Sequence, residues 1–555
     1  MKVHLVYPPI WLTEIPYLSV PALRAYINGI TQVEAKSLDL NIQLWTHLRS
    51  RSSLVDLWAW ANEKLRTFGV VRTREDLDAV LRLCAIAGHD HETLLQKVRS
   101  RHIPVPVLQS CVKMYFKEAV MGQSDEDSWR RWQQDREYHD PYMSSISLSE
   151  LAVSSESLLD SLKMGEIRNP YLRLMPMLYR QLVENEIPDL VGISVTAVNQ
   201  VVPALALSHW LRREKPHCHI IWGGQWVTHV LSKPQELAPL FDLVDGMVAG
   251  EGEVPLAELL RCEIEGKDWD GVPNLFRRID GEVIPSANSF QSSNLDHLPP
   301  PDFADIPLDE FDYPGIMPLQ TSRGCSWNRC RFCSYVVLDP VYKKRSVSKV
   351  VDDMEVLIAQ YPIHEIAFTD AIMEPPHFIA ISEEILRRGV EIKWRGFARF
   401  DRRFTTEELA KMGKAGCNFF IWGMESGSNR ILALMKKGTN REIARRNLRD
   451  AAEAGIHNRV CLMYGYPSES AEDRALTIGL LRENLESVHS MAFSALSVEQ
   501  GTPLADGPER ESLEGLKVAT KLQLELPRNP SSSTLRYLRE TEQEFRALYL
   551  ELERR

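Results

Sequence analysis

Residues 321–335 read TSRGCSWNRCRFCSY and place three of the chain's nine cysteines, Cys325, Cys330 and Cys333, within nine positions. No fourth cysteine or histidine follows nearby. A structural zinc site closes four ligands, commonly as two CxxC-type pairs. Zinc here would need a distant fourth ligand, with Cys417 or Cys461 as candidates. A cluster of four irons held by three thiolates fits the spacing differently, because one iron then stays open to a substrate or cofactor.

The surroundings of this loop set the fold. Short apolar runs follow one another with helical stretches between them: IMPLQTS before the cysteines, EIAFTD at 365–370, KWRGFARFD at 393–401, FFIWGMES at 419–426, RVCLMYGYP at 459–467 and MAFSALSV at 491–498. Six β-α steps predict a partial barrel of parallel strands over 313–505, with the cysteines directly after its first strand. From 506 to 555 the chain is charged and helical in pattern, with SSS at 531–533 as a break.

The N-terminal part carries its own rhythm. KVHLVY at 2–7 reads as a buried strand stopped by Pro8 and Pro9, VPALRAYIN at 20–28 as a helix, and VEAKSLDL as a second strand ending in Asp39. A helical insertion is expected over about 42–185, including SLVDLWAWANEKLRTF and TLLQKVRSR. Strands resume with DLVGISV at 189–195, HIIWGG and LVDGMVAGEGE. The expectation is an α/β fold: a doubly wound, Rossmann-like, five-stranded sheet over 1–265, a polar linker over 266–312 containing LPPPDFADIPL, then the partial barrel.

A doubly wound sheet takes its ligand beyond the carboxyl ends of its strands. Here those loops are YPPIW (7–11), DLN (39–41), SVTAVNQ (194–200), GGQWVT (223–228) and AGEGE (249–253). The paired glycines at 223–224 let backbone approach a large planar or phosphate-bearing ligand. The first strand is followed by YPPIW and not by G-x-G-x-x-G, which disfavours NAD or FAD.

Composition bounds the rest. The 555 residues suggest about three units at roughly 100–200 residues per domain. A net charge of −11 argues against a nucleic-acid partner. No signal peptide or membrane span is read, and the scattered remaining cysteines suit a reducing compartment, the cytoplasm.

On these motifs the chain resembles the radical S-adenosylmethionine (SAM) superfamily. The usual family spacing is C-x3-C-x2-C, and this chain has one residue more in the first interval. The resemblance implies that Cys325, Cys330 and Cys333 hold a [4Fe–4S] cluster whose unique iron SAM chelates, with Phe332 against the adenine. It also implies SAM contacts from Asp370 in FTDAIME, Arg399 in GFARFD, and Glu425 and Ser426 in GMESGSNRILALMKKGT; GYPSESAED resembles the fifth-strand turn. From the residues alone, Glu425 also reads as a solvated strand-end carboxylate, Arg399 as a partner of Asp401, and Asp370 as a helix N-cap.

The N-terminal sheet resembles the cobalamin-binding domains found in front of radical SAM barrels. That resemblance assigns Ser194, Thr196, Gly223, Gly224 and the Gly250-Glu251-Gly252 loop to the site, with Asn199 and Gln200 near the corrin. The cobalt-ligating motif D-x-H-x-x-G is absent, and GHDH at 88–91 reads as a helix boundary. Jointly, the two resemblances imply a cobalamin-dependent radical SAM methyltransferase. It would move a methyl group from SAM via methylcobalamin to an unactivated carbon or phosphorus of a natural-product or peptide substrate. A cyclase or rearrangement enzyme with the same cofactors is the alternative. A flavodoxin- or ferredoxin-type electron donor is the partner expected, and the insertion and the tail are where a substrate lid is expected.

Overall fold

The computed structural model describes residues 1–9, 14–31, 33–48, 154–164, 169, 171–183, 186, 188–290, 294–507 and 532–553. The motifs SLVDLWAWANEKLRTF, TLLQKVRSR and GHDH lie outside the described residues. The chain divides into two units. The first comprises Met1–Glu14, Ser19–Phe290 and Phe303–Asp312; the second comprises Ile15–Leu18, Gln291–Asp302 and Tyr313–Arg555.

The first unit is built on a seven-stranded sheet. Its strands are β1 (Lys2–Tyr7), β2 (Glu34–Asp39), β3 (Leu190–Ser194), β4 (His219–Gly223), β5 (Gly246–Val248), β6 (Leu275–Ile279) and β7 (Glu282–Pro285). They lie in the order β2-β1-β3-β4-β5-β6-β7. The first five run parallel; β6 and β7 are antiparallel. In β1 every residue after Lys2 is buried, as a central strand covered on both faces requires.

Two expectations are corrected here. The sheet has seven strands and not five, and the segment read as a linker from 266 contributes the hairpin β6-β7 to it. That hairpin escaped the sequence reading because it is an edge element: Arg277 and Arg278 stand on β6, and three of the four residues of β7 are exposed. It therefore lacks the apolar run that marks a central strand.

Strand order reverses direction at the β1/β3 neighbours, which makes the crevice beyond their carboxyl ends the switch point of the sheet. Gln200 spans this point. Its Nε2 donates to the Pro8 carbonyl at 2.7 Å, while its Oε1 accepts from the Thr196 N–H and Thr196 hydroxyl, each at 2.8 Å, and from the Ala197 N–H at 3.2 Å.

The second unit carries six parallel strands: β8 (Ile316–Leu319), β11 (Glu365–Phe368), β12 (Lys393–Ala398), β13 (Cys417–Glu425), β14 (His457–Tyr464) and β15 (Ser490–Ala495). Between β8 and β11 a two-residue pair, β9 (Ser322–Arg323) with β10 (Lys343–Lys344), closes the cysteine loop. Spatial order follows chain order from β8 to β15. With right-handed crossovers, strands added always to the same edge put their helices on one face and leave the other open. All six strands fall where the apolar runs place them.

In the tail, the expected helical character is present as helix Ser532–Glu553, which docks on the last two strands, with Phe545 against Tyr464 and Phe493 at ring-centroid distances of 6.0 and 5.8 Å. It starts within the SSS stretch at 531–533.

Candidate active site around the cysteine loop

The chain enters the loop through Thr321 and Ser322, both buried. Asp370, beyond β11, holds them: one carboxylate oxygen accepts from both hydroxyls and the other from the Thr321 N–H at 3.2 Å. Burial pushes the Asp370 carboxyl above its ordinary range against these hydrogen bonds. Asp370 thus shapes the loop entrance and is not a helix N-cap; the N-cap of the following helix is Glu374.

Gly324 turns the chain at φ +73°, where a Cβ would meet the Val341 carbonyl at 2.7 Å, and its N–H donates to Asp339 at 2.6 Å. Further along, the Trp327 indole N–H donates to the Lys436 carbonyl at 2.8 Å and the Arg331 N–H to the Met435 carbonyl at 3.1 Å. The Leu504 N–H reaches back to the Arg331 carbonyl at 2.7 Å. The loop is therefore clamped by segments after β13 and β15. Phe332 lies against an apolar cluster that includes Ile431, Met435, Tyr466 and Leu504.

Cys325, Cys330 and Cys333 are all free and partly buried. Burial pushes the Cys330 thiol up to about 11, with the Lys437 ammonium pulling the other way, and burial raises Cys333 too. Thiolates are the metal-binding form, so a cation beside them favours ligation. Among the described residues no three Cys, His, Asp or Glu side chains converge as a single-ion site requires. Three thiolates on one short loop are the donor set that a four-iron cube takes at three of its corners, with the fourth iron left open. Cys417 is buried at the start of β13, and its thiol is pushed well up by burial.

Glu425 ends β13 at φ +60°, a left-handed conformation costing about 1–2 kcal/mol for a residue with a side chain. Its Oε1 lies 2.8 Å from the Lys437 ammonium. Burial alone would lower the Lys437 pKa, but Glu425 and the neighbouring thiols hold it above the ordinary value. Gly423 leaves room for this pair, since a Cβ there would come within 2.9 Å of Lys437 Nζ and 3.0 Å of Glu425 Oε1. Arg399 is buried, donates to the Gly438 carbonyl and to Asp401 at 2.6 Å each, and sits 4.3 Å over the Trp327 ring. Its Nε has no hydrogen-bond partner among the described residues. Ser426 is buried and accepts from the Ser428 N–H at 3.1 Å, holding the turn after β13.

Glu425, Lys437 and Arg399 therefore surround the thiols. Sequence reasoning placed Arg399 and Glu425 correctly at strand ends and missed Lys437 and Trp327 as parts of the site. The signal for Lys437 was a lysine one residue before a glycine on a short turn after the strand, which by itself describes many surface loops.

Residues 319–481 match the radical SAM superfamily. This stretch is a radical SAM domain. The matched residues contain four of the six strands just described, β11 to β14, and all three cysteines. The chain is 28% identical over 297 residues to an uncharacterized methyltransferase of Pyrococcus horikoshii, spanning 52% of this chain and 63% of that protein. It is 26% identical over 314 residues to the anaerobic magnesium-protoporphyrin IX monomethyl ester cyclase of Rubrivivax gelatinosus, spanning 53% and 54%. The chain thus spans less than two thirds of the length of these relatives. In fold it resembles the cobalamin-dependent SAM radical enzyme OxsB, solved with aqua-cobalamin and SAM, at a TM-score of 0.60 and 16% identity, covering 97% of this chain and 66% of that one.

In the first unit the remaining candidates sit on the carboxyl edge of the sheet. Ser194 ends β3 and donates to Ser19 at 2.9 Å. Gly223 ends β4, and Gly224 follows at φ +106°, so close to Val195 that a Cβ would lie 2.5 Å from its carbonyl oxygen. The Gly250 N–H donates to the Thr228 hydroxyl at 2.9 Å, and Gly252 precedes helix Glu253–Glu265. Asn199 lies in the short turn Val198–Gln200, and Glu251 between the two glycines. Gln200, expected beside a corrin, is fully buried with its amide committed to Thr196, Ala197 and Pro8. No described helix is long and apolar enough to cross a membrane.

Proposed function

We propose that this chain is a cobalamin-dependent radical SAM methyltransferase acting on an unactivated carbon or phosphorus of a natural-product or peptide substrate. The observation that carries the reading is the clamped three-cysteine loop beside a buried Lys437–Glu425 pair, on a chain whose other unit has a doubly wound sheet with paired glycines at the carboxyl end of β4. The likeness to OxsB and the methyltransferase relative support it.

Cys325, Cys330 and Cys333 would hold the cluster; Phe332, Arg399, Glu425 and Ser426 would contact SAM; Ser194, Thr196, Gly223, Gly224 and the 250–252 loop would take cobalamin. When bound, these groups supply one-electron cleavage of SAM and a carrier for its methyl group. The chain's own residues do the positioning. Trp327 and Arg331 fix the loop, Lys437 favours the thiolates, and Gly224 lets backbone approach the ligand of the first unit. A flavodoxin- or ferredoxin-type protein would supply electrons.

The test is an anaerobic reconstitution with hydroxocobalamin and S-methyl-deuterated SAM, wild type against Cys330→Ala. Deuterated methyl transfer to cobalamin, with reductant-dependent 5′-deoxyadenosine that disappears in the variant, supports the reading. The cyclase relative favours a second reading, in which 5′-deoxyadenosine forms and no methyl group moves.

A further inference from the structure

The six-stranded sheet has one face against its helices. Trp394 donates its indole N–H to the Ala415 carbonyl at 2.9 Å, Trp422 donates to Asn458 at 2.7 Å, and Asn458 donates to the Leu448 carbonyl at 2.8 Å, so these residues point to the helical side. Strand alternation sends their neighbours the other way. Arg395, Phe397, Phe419, Ile421, Gly423, Arg459 and Cys461 therefore share the open face with Glu425 and Arg399.

Register aligns Phe397 with Ile421, Ile421 with Arg459, and Arg459 with Ser490 in one row across β12 to β15. Phe397 is 45% exposed although it stands on a central strand. At the far end of the row β15 offers only small side chains, Ser490, Ala492 and Ser494. The row thus joins an exposed aromatic ring to small side chains.

Among the described residues, charges on the open face are matched with one exception. Beyond the exposed first residues of the strands, Arg395 pairs with Glu365, Arg399 with Asp401 and Lys437 with Glu425. Arg459 makes no side-chain hydrogen bond or ion pair among the described residues, and its Nε is sealed from solvent without an acceptor. A buried guanidinium N–H without an acceptor is costly, and an arriving anion removes that cost.

We propose that Arg459 receives an oxyanion of the substrate, a carboxylate or a phosphate, while the apolar body of the same molecule lies over Phe397 and Ile421. Calling the ligand the substrate rests on the function proposed above; the binding site itself rests on the row of residues. Gly423 and Cys461 stand in register one step further along their strands, toward Glu425 and Lys437, so a molecule anchored at Arg459 extends toward the cysteine loop.

The experiment is equilibrium dialysis of the reconstituted full-length chain against naphthoate, naphthyl phosphate and neutral naphthalenemethanol. Wild type is expected to bind one of the two anions at least about tenfold more tightly than the alcohol, the scale of a charge-assisted hydrogen bond. The tighter of the two identifies the oxyanion. Arg459→Gln should abolish the preference, Arg459→Lys should keep part of it, and Phe397→Ala should weaken anion and alcohol alike. Equal binding of all three probes by wild type, binding of none, or a preference that survives Arg459→Gln overturns the proposal. If Arg459→Gln does not fold, the lysine variant and the wild-type ratio decide. Absence of SAM cleavage with the anion preference intact would overturn the functional reading and leave this site standing.

Discussion

The Trp327 indole lies so close to Gly438 that a Cβ at 438 would fall 2.0 Å from the ring. Gly438 also has φ +69°, a conformation that side chains disfavour. Gly438→Ala is expected to cost about 1–3 kcal/mol by overpacking and to free the cysteine loop. Iron retained per chain after reconstitution should fall while far-ultraviolet circular dichroism is unchanged; full iron retention would show that the contact does not hold the loop.

Lys437 and Glu425 form a nearly buried pair. Removing one partner of such a pair leaves a buried charge and typically costs about 3–5 kcal/mol. Lys437→Met is expected to lower stability on that scale, and Lys437→Met with Glu425→Gln to recover much of it. Urea unfolding of the chain without iron is the measurement, because it reads the pair apart from any effect on ligation.

Burial pushes the Glu469 carboxyl up to about 7, against the Gly465 N–H that donates to it at 2.6 Å. The folded chain thus keeps a proton that the unfolded chain loses near pH 4.5. Stability contributed by this group is present below about pH 4.5 and is lost as pH rises to about 7. Glu469→Gln should melt like wild type at pH 5 and at a higher temperature than wild type at pH 8. Parallel pH profiles for the two proteins would refute the shift.

Leu538 of the C-terminal helix is buried, and a Cβ on Gly465 would lie 2.5 Å from it. Arg474 adds polar contacts, 3.0 Å to Thr541 and 3.4 Å to Glu544. Leu538→Ala is expected to destabilise by about 2–5 kcal/mol. Removing residues 532–553 should lower the melting temperature further, as loss of a packed helix does and loss of a free lid does not.

The strands were legible because parallel strands covered by helices need unbroken apolar runs, and those runs are local. The three cysteines were legible for the same reason, being close in sequence. What the sequence did not disclose depends on partners far along the chain. Asp370 and Gln200 are of the right type and position for ligand contacts, yet Thr321, Ser322, Thr196, Ala197 and Pro8 claim their polar atoms. The β6-β7 hairpin was hidden by its exposed, charged surface, and Arg459 became conspicuous only when its three fellow cations were seen to be paired.

The clamp on the cysteine loop has a bearing on how the protein matures. The thiols are made early in the second unit, but Met435, Lys436 and Leu504, whose backbone groups hold the loop, are made more than a hundred residues later. Closing loops of that length is entropically unfavourable until the intervening strands are in place. During synthesis the cysteines therefore spend an interval as unconstrained, oxidisable thiols, and productive iron delivery belongs after the fifth and sixth strands have joined the sheet.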